Sequence, residues 1–164
     1  MHANDCMING TEENWDDVWD QQKNLSFFGK RLRHAQLDCL KEVLSEINLP
    51  KSARVLDMGC GSGRSLEDLR LLGYKNSVGI DTSTKSLELC ASRGFTREKD
   101  VFLEDGTSTR FKDNEFDLIY SQGLLEHFED YSPFIVEMSR ISKRYVLIFQ
   151  PNHYSLYRRV VDVV

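Results

Sequence analysis

The sequence has little of what staples, anchors or exports a chain. Its four cysteines, Cys6, Cys39, Cys60 and Cys90, lie far apart and none belongs to a CxxC pair. That pattern argues against a zinc site or a disulfide framework and points to free thiols. No apolar run approaches the roughly 20 residues of a membrane-crossing helix. The start, MHANDCMINGTEENWDD, is polar and acidic and holds no stretch of signal-peptide type. A cytoplasmic location and no membrane span are therefore the expectations. Positive charge is also scarce: 21 Lys and Arg stand against 26 Asp and Glu, a formal net charge of −5. Nothing in that balance attracts nucleic acid, and HYSLYRR near the end is the one small basic stretch. Repeats and low-complexity tracts are missing too.

What is present suits one compact domain, with 40% hydrophobic and 29% charged residues among 164. Residues 1 to about 24 carry Trp15 and Trp19 but little else to bury, and residues 1–30 are read as an N-terminal arm or lid segment. Phe27 and Phe28 join the tryptophans as candidates for that lid or as anchors of the arm. From Leu32 to Leu49, Leu37, Leu40, Val43, Leu44 and Ile47 recur at helical spacing, and Pro50 ends the helix. Short apolar runs then alternate with helical patterns. ARVLDM, NSVGID, DVFLED, EFDLIYS and RYVLIFQ read as five strands. RSLEDLRLLG, STKSLELCASRG and YSPFIVEMSRIS read as helices, with Ser83 as an N-cap and Gly73 and Gly94 as stops. Such alternation predicts a doubly wound α/β fold around a parallel sheet, occupying residues 31–164.

Ligands of such sheets sit beyond the carboxyl ends of the strands. Here the first strand ends at Asp57, the second at Asp81 and the third at Glu104–Asp105, while the fourth runs into SQGLLEH with Glu126. One acid at a strand end is an ordinary loop residue; acids at three successive ends make an acidic crevice. Between the first strand and its helix lie Gly59, Gly61 and Gly63. The first suits a tight turn, the second a close backbone approach to a ligand, and the third helix–strand packing. Asp81 follows Gly63 by 18 residues, near the offset of about 20 at which an acid accepts hydrogen bonds from ribose hydroxyls. An adenosine ligand follows. A dinucleotide would bring its pyrophosphate close to Asp57, and like charges about 4 Å apart cost about 4 kcal/mol at an effective dielectric near 20. S-Adenosylmethionine has no phosphate and carries an ammonium and a sulfonium, so Asp57 attracts it. The spacing G-x-G-x-G also departs from the dinucleotide pattern G-x-G-x-x-G.

VLDMGCGSG, VGIDTS, LEDGTS and FDLIYSQGLLEHF occur in that order. With these motifs the chain resembles, over roughly residues 30 to 152, a class I S-adenosylmethionine-dependent methyltransferase of Rossmann-like fold, of the group that modifies small molecules. The resemblance implies that Asp57 and the backbone at Gly59 hold the methionine ammonium and that Asp81 binds the ribose hydroxyls. It implies that Asp105 accepts from the adenine amino group beside Gly106, that Gln122 lines the methionyl end, and that Thr82 and Thr107 pack near the adenine. Gly61 and Gly63 complete the cofactor loop. His127, in the loop after the fourth strand, is the candidate catalytic residue, with His153 a second. No metal is expected.

Members of that family continue past the fifth strand with a helix and two further strands, which PNHYSLYRRVVDVV is too short to supply. A sheet of order 3-2-1-4-5 without those last two strands leaves YVLIF as an apolar edge, so the tail is expected to fold over it or the protein to form a homodimer through it. The function expected is methyl transfer from S-adenosylmethionine to a small-molecule acceptor. The alternatives are a catalytically silent methyltransferase-like binding module and an NAD-dependent oxidoreductase.

Overall fold

The computed structural model describes residues 5–8, 11–14 and 27–150, with side chains from residue 33 onward. Two short antiparallel strands, β1 (Asp5–Ile8) and β2 (Thr11–Asn14), pair near the N-terminus. Helix α1 spans Phe27–Glu46. Then come β3 (Val55–Met58), α2 (Arg64–Leu71), β4 (Ser77–Asp81), α3 (Thr84–Ser92), β5 (Val101–Leu103) and β6 (Phe116–Gln122). A single 3-10 turn at Leu125–His127, α4 (Ser132–Ile141) and β7 (Ser142–Phe149) follow.

β3 to β7 form one sheet of order β5-β4-β3-β6-β7, parallel throughout. That is the 3-2-1-4-5 order that came with the family resemblance. The central strands are buried on both faces, hence their largely apolar character. Leu56 and Met58 of β3 point to the face covered by α4, packing with Phe134, Met138 and Ile141. Val55 points the other way, into the layer made by Leu40 and Leu44 of α1 and Leu69 of α2. Leu66 of α2 and Leu87 and Cys90 of α3 close a third cluster over Val101. Helices thus cover both faces, as the doubly wound arrangement requires.

The helix ends follow local chemistry. Ser83 caps α3 by accepting from the Ser86 N–H, and Gly73 and Gly94 take positive φ where α2 and α3 stop. A buried staple ties α4 to the loop before β6. The Glu137 carboxylate accepts from the Thr109 N–H at 2.8 Å and from Arg140 Nε at 2.8 Å, and Arg140 also donates to the Phe111 carbonyl. These contacts, Arg140 first, hold the Glu137 pKa down at about 2.

Three expectations need adjusting. The arm boundary at residue 30 cuts through α1, which already begins at Phe27, so Phe27 and Phe28 belong to the helix. The arm itself carries the β1–β2 pair, and β1 lies against the Leu125–His127 turn. The third strand is only three residues long, so Glu104 and Asp105 lie beyond it. β7 is the sheet edge as expected, with Val146 exposed and Tyr145, Leu147, Ile148 and Phe149 half-buried on their own faces. Trp15, Trp19, His153 and the tail after Gln150 lie outside the described residues.

Candidate cofactor site

The sheet register brings the functional candidates together. Asp57 of β3 is paired with Gly79 of β4 on one side and Tyr120 of β6 on the other. At the carboxyl end of β3 the chain turns through Gly59, Gly61 and Gly63, all with φ between 51° and 78°. A Cβ at Gly59 would also lie 2.8 Å from Leu124 Cδ1, which would have to move aside. The N–H groups of Gly59 and Cys60 donate to the Ile80 carbonyl at 3.0 and 2.9 Å, and that of Gly63 donates to Cys60. The Gly61 N–H donates to Asp81 Oδ2 at 2.8 Å. Four N–H groups of the loop are therefore spent inside the protein.

Each strand-end acid has a different fate. Asp81 is half-buried and also accepts from the Ser83 N–H at 2.9 Å, so it joins the end of β4 to the glycine loop. Asp105 Oδ1 accepts from both the N–H and the hydroxyl of Thr107, each at 2.8 Å, in a local turn. Glu104 is neutralised by Arg110, whose Nε lies 2.8 Å away, and does not contribute to an acidic crevice. Glu126, in the turn after β6, has one buried oxygen with no hydrogen-bond partner. Asp57 is the extreme case: it is 1% exposed and neither carboxylate oxygen has a hydrogen-bond partner. Burial, joined by the nearby charges of Asp81 and Asp68, pushes its pKa well above the usual carboxylate range.

The remaining candidates divide. Gln122 ends β6, two residues beyond Tyr120 on the same face, and its Oε1 accepts from the Tyr120 hydroxyl at 2.5 Å. Gly106 is buried where a Cβ would meet Phe134 at 3.0 Å and Met58 at 3.2 Å, so a side chain there would need its neighbours to shift. Thr82 is half-buried just past β4. His127 is half-buried in the turn after β6. Tyr120 escaped the sequence reading because an aromatic in a buried strand reads as core. Its position two residues before Gln122, on one strand face, was the available signal. Of the cysteines, Cys90 donates to the Gly61 carbonyl at 3.1 Å from inside the third cluster, and Cys60 is buried beside it.

The methyltransferase domain family matches residues 56–149, more than half of the chain and every element from β3 to β7. The chain belongs to the class I S-adenosylmethionine-dependent methyltransferases. Among solved structures of such methyltransferases, one from Methanosarcina mazei is 31% identical with a TM-score of 0.57, over 71% of this chain and 62% of its own. A ubiquinone biosynthesis O-methyltransferase of Pelagibacter ubique is 28% identical over 84% of this chain and 58% of its own length. Phosphoethanolamine N-methyltransferase 1 of Arabidopsis thaliana is 31% identical over 57% of this chain and 20% of its own. The chain therefore spans less than two thirds of each of these methyltransferases. Among the described residues no helix is long and apolar enough to cross a membrane, and no cluster of His, Cys, Asp and Glu could hold a metal ion.

Proposed function

We propose that this methyltransferase domain binds S-adenosylmethionine across the carboxyl ends of β3, β4 and β6 and passes its methyl group to a small-molecule acceptor. The observation that carries this reading is Asp57: a buried carboxylate with no partner is costly unless a cation completes it. The cofactor's ammonium is such a cation. The glycine loop supports the same choice. A phosphate cradle needs free backbone donors, whereas here the N–H groups of Gly59, Cys60, Gly61 and Gly63 already have acceptors within the protein. That disfavours the dinucleotide alternative.

In this reading Asp57 and the Gly59 backbone hold the ammonium, Asp81 the ribose hydroxyls, and Asp105 the adenine amino group beside Gly106. Gly61 and Gly63 shape the loop, Thr82 lies near the adenine, and Gln122 meets the methionyl end. The bound cofactor supplies a methyl group already activated by the positive sulfonium. The protein is left to align donor and acceptor, an effect of several kcal/mol. His127 stands at the exit of β6, where an acceptor would lie, and is the candidate group to take its proton. The β1 strand lies against the same turn and would wall that acceptor side. The acceptor is a small molecule, as the relatives' names indicate for them, and the location is cytoplasmic. β7, at the sheet edge, is where a second copy would pair.

Calorimetry with S-adenosylmethionine, S-adenosylhomocysteine and NAD tests the reading. Binding of the first two and not the third is expected. NAD binding alone would favour the oxidoreductase alternative. Cofactor binding with no labelled methyl transferred to any component of a metabolite extract would leave the silent module.

A further inference from the structure

Asp57, Tyr120 and Gln122 share one face of the sheet at the ends of two neighbouring strands. Of the three, Asp57 offers only acceptors once a cation draws off its proton, and Gln122 could offer either an acceptor or donors. Tyr120 removes that ambiguity. Its ring is 2% exposed, packed in the α1 layer and beside Phe149 at 5.8 Å between centroids, so the phenol has one place to be. Its hydroxyl lies on the strand next to Asp57, yet it donates to Gln122 Oε1 and leaves Asp57 unpartnered. With Oε1 occupied, the Gln122 amide presents its two N–H donors.

An amino-acid end group carries a carboxylate as well as an ammonium, and in a crevice with Asp57 and Asp81 that carboxylate needs donors. The loop N–H groups named above are already committed. We propose that Tyr120 is a positioning residue: it holds Gln122 donor-side out, so that Gln122 receives the carboxylate of the cofactor's amino-acid end while Asp57 receives its ammonium. The pair thereby selects a zwitterionic nucleoside over the same nucleoside without its amino acid. This rests on the S-adenosylmethionine reading of the site.

The test is calorimetry with two probes, S-adenosylhomocysteine and 5′-methylthioadenosine, which lacks the amino-acid group. Wild type, Tyr120→Phe, Gln122→Leu and Gln122→Glu are compared, each checked for folding by thermal unfolding. Tyr120→Phe and Gln122→Leu are each expected to weaken S-adenosylhomocysteine by about tenfold and to leave methylthioadenosine unchanged. Combining the two should weaken binding no further than Gln122→Leu alone, because they act as one unit. Gln122→Glu, which turns donors into a like charge, should weaken it more. The Gln122 variants keep the test open if the buried Tyr120→Phe change unfolds the chain. Tyr120→Phe or Gln122→Leu with unaltered S-adenosylhomocysteine affinity overturns the inference, as does an equal loss for both probes. Wild type that binds neither probe overturns the cofactor reading and this inference with it.

Discussion

Replacing Asp57 with asparagine is expected to stabilise the ligand-free protein and weaken its cofactor complex. The carboxyl is protonated in both folded and unfolded chains at pH values below about 3.8. Above that, the unfolded chain releases the proton and the folded chain, with its raised pKa, keeps it. Stability then falls by about 1.4 kcal/mol per pH unit until the folded pKa is reached. The roughly three units between 3.8 and neutrality set a ceiling of about 4 kcal/mol at pH 7. Asparagine carries no such dependence but brings an amide with unmet hydrogen bonds, worth about 1–2 kcal/mol. The net gain at pH 7 is therefore bounded at about 2–3 kcal/mol. Urea unfolding of both ligand-free proteins at a series of pH values from 4 to 7.5 measures it. The gap between variant and wild type should widen as pH rises. Affinity for S-adenosylhomocysteine should drop by about 2–3 kcal/mol, roughly 30- to 150-fold, since a charge-assisted hydrogen bond is lost. Parallel stability profiles would show that Asp57 is not a destabilising buried carboxyl and has no need of a cation.

Glu137→Gln removes the charge from the staple on α4. Its folded pKa of about 2, against 4.5, means that the stabilisation is complete above pH 4.5 and lost as pH falls toward 2. The variant should be about 3 kcal/mol less stable at pH 7, the gap closing by pH 2 in acid titrations followed by circular dichroism. Gly79→Ala places a Cβ 2.7 Å from that of Cys60, and overpacking there should cost about 1–3 kcal/mol in chemical denaturation. Asp81→Ala strands the Gly61 and Ser83 N–H groups. It should lower stability by about 1–2 kcal/mol and cofactor affinity by tenfold or more, read by unfolding and calorimetry on the same preparation.

Much of the fold was legible because its signals are local. An apolar run closed by a turn marks each strand, and Ser83, Gly73 and Gly94 punctuate helices through their own backbone chemistry. The β1–β2 pair went unread because TEEN has little β character, although Asn9-Gly10 between the strands is the dipeptide favoured in hairpin turns. The start of α1 went unread because Gly29 weakens the helical signal in FFGKRL. The i, i+2 spacing put Tyr120 and Gln122 on one strand face, but the bond between them could not be read, since a buried aromatic and a polar strand end look independent in the sequence.

Order along the chain was enough to place glycines and acids at the carboxyl ends of parallel strands, since periodicity and turn chemistry act over a few residues. Which acid is available to a ligand is a different matter. Glu104 is answered by Arg110, Asp81 is tied to Gly61, and Asp57 is left with nothing. The Asp81–Gly61 and Asp57 outcomes depend on groups brought together from separate strands and loops, and even the Arg110 contact depends on how the loop after β5 returns. A charge is strengthened, spent or stranded by what surrounds it in three dimensions, and folding alone assembles those surroundings.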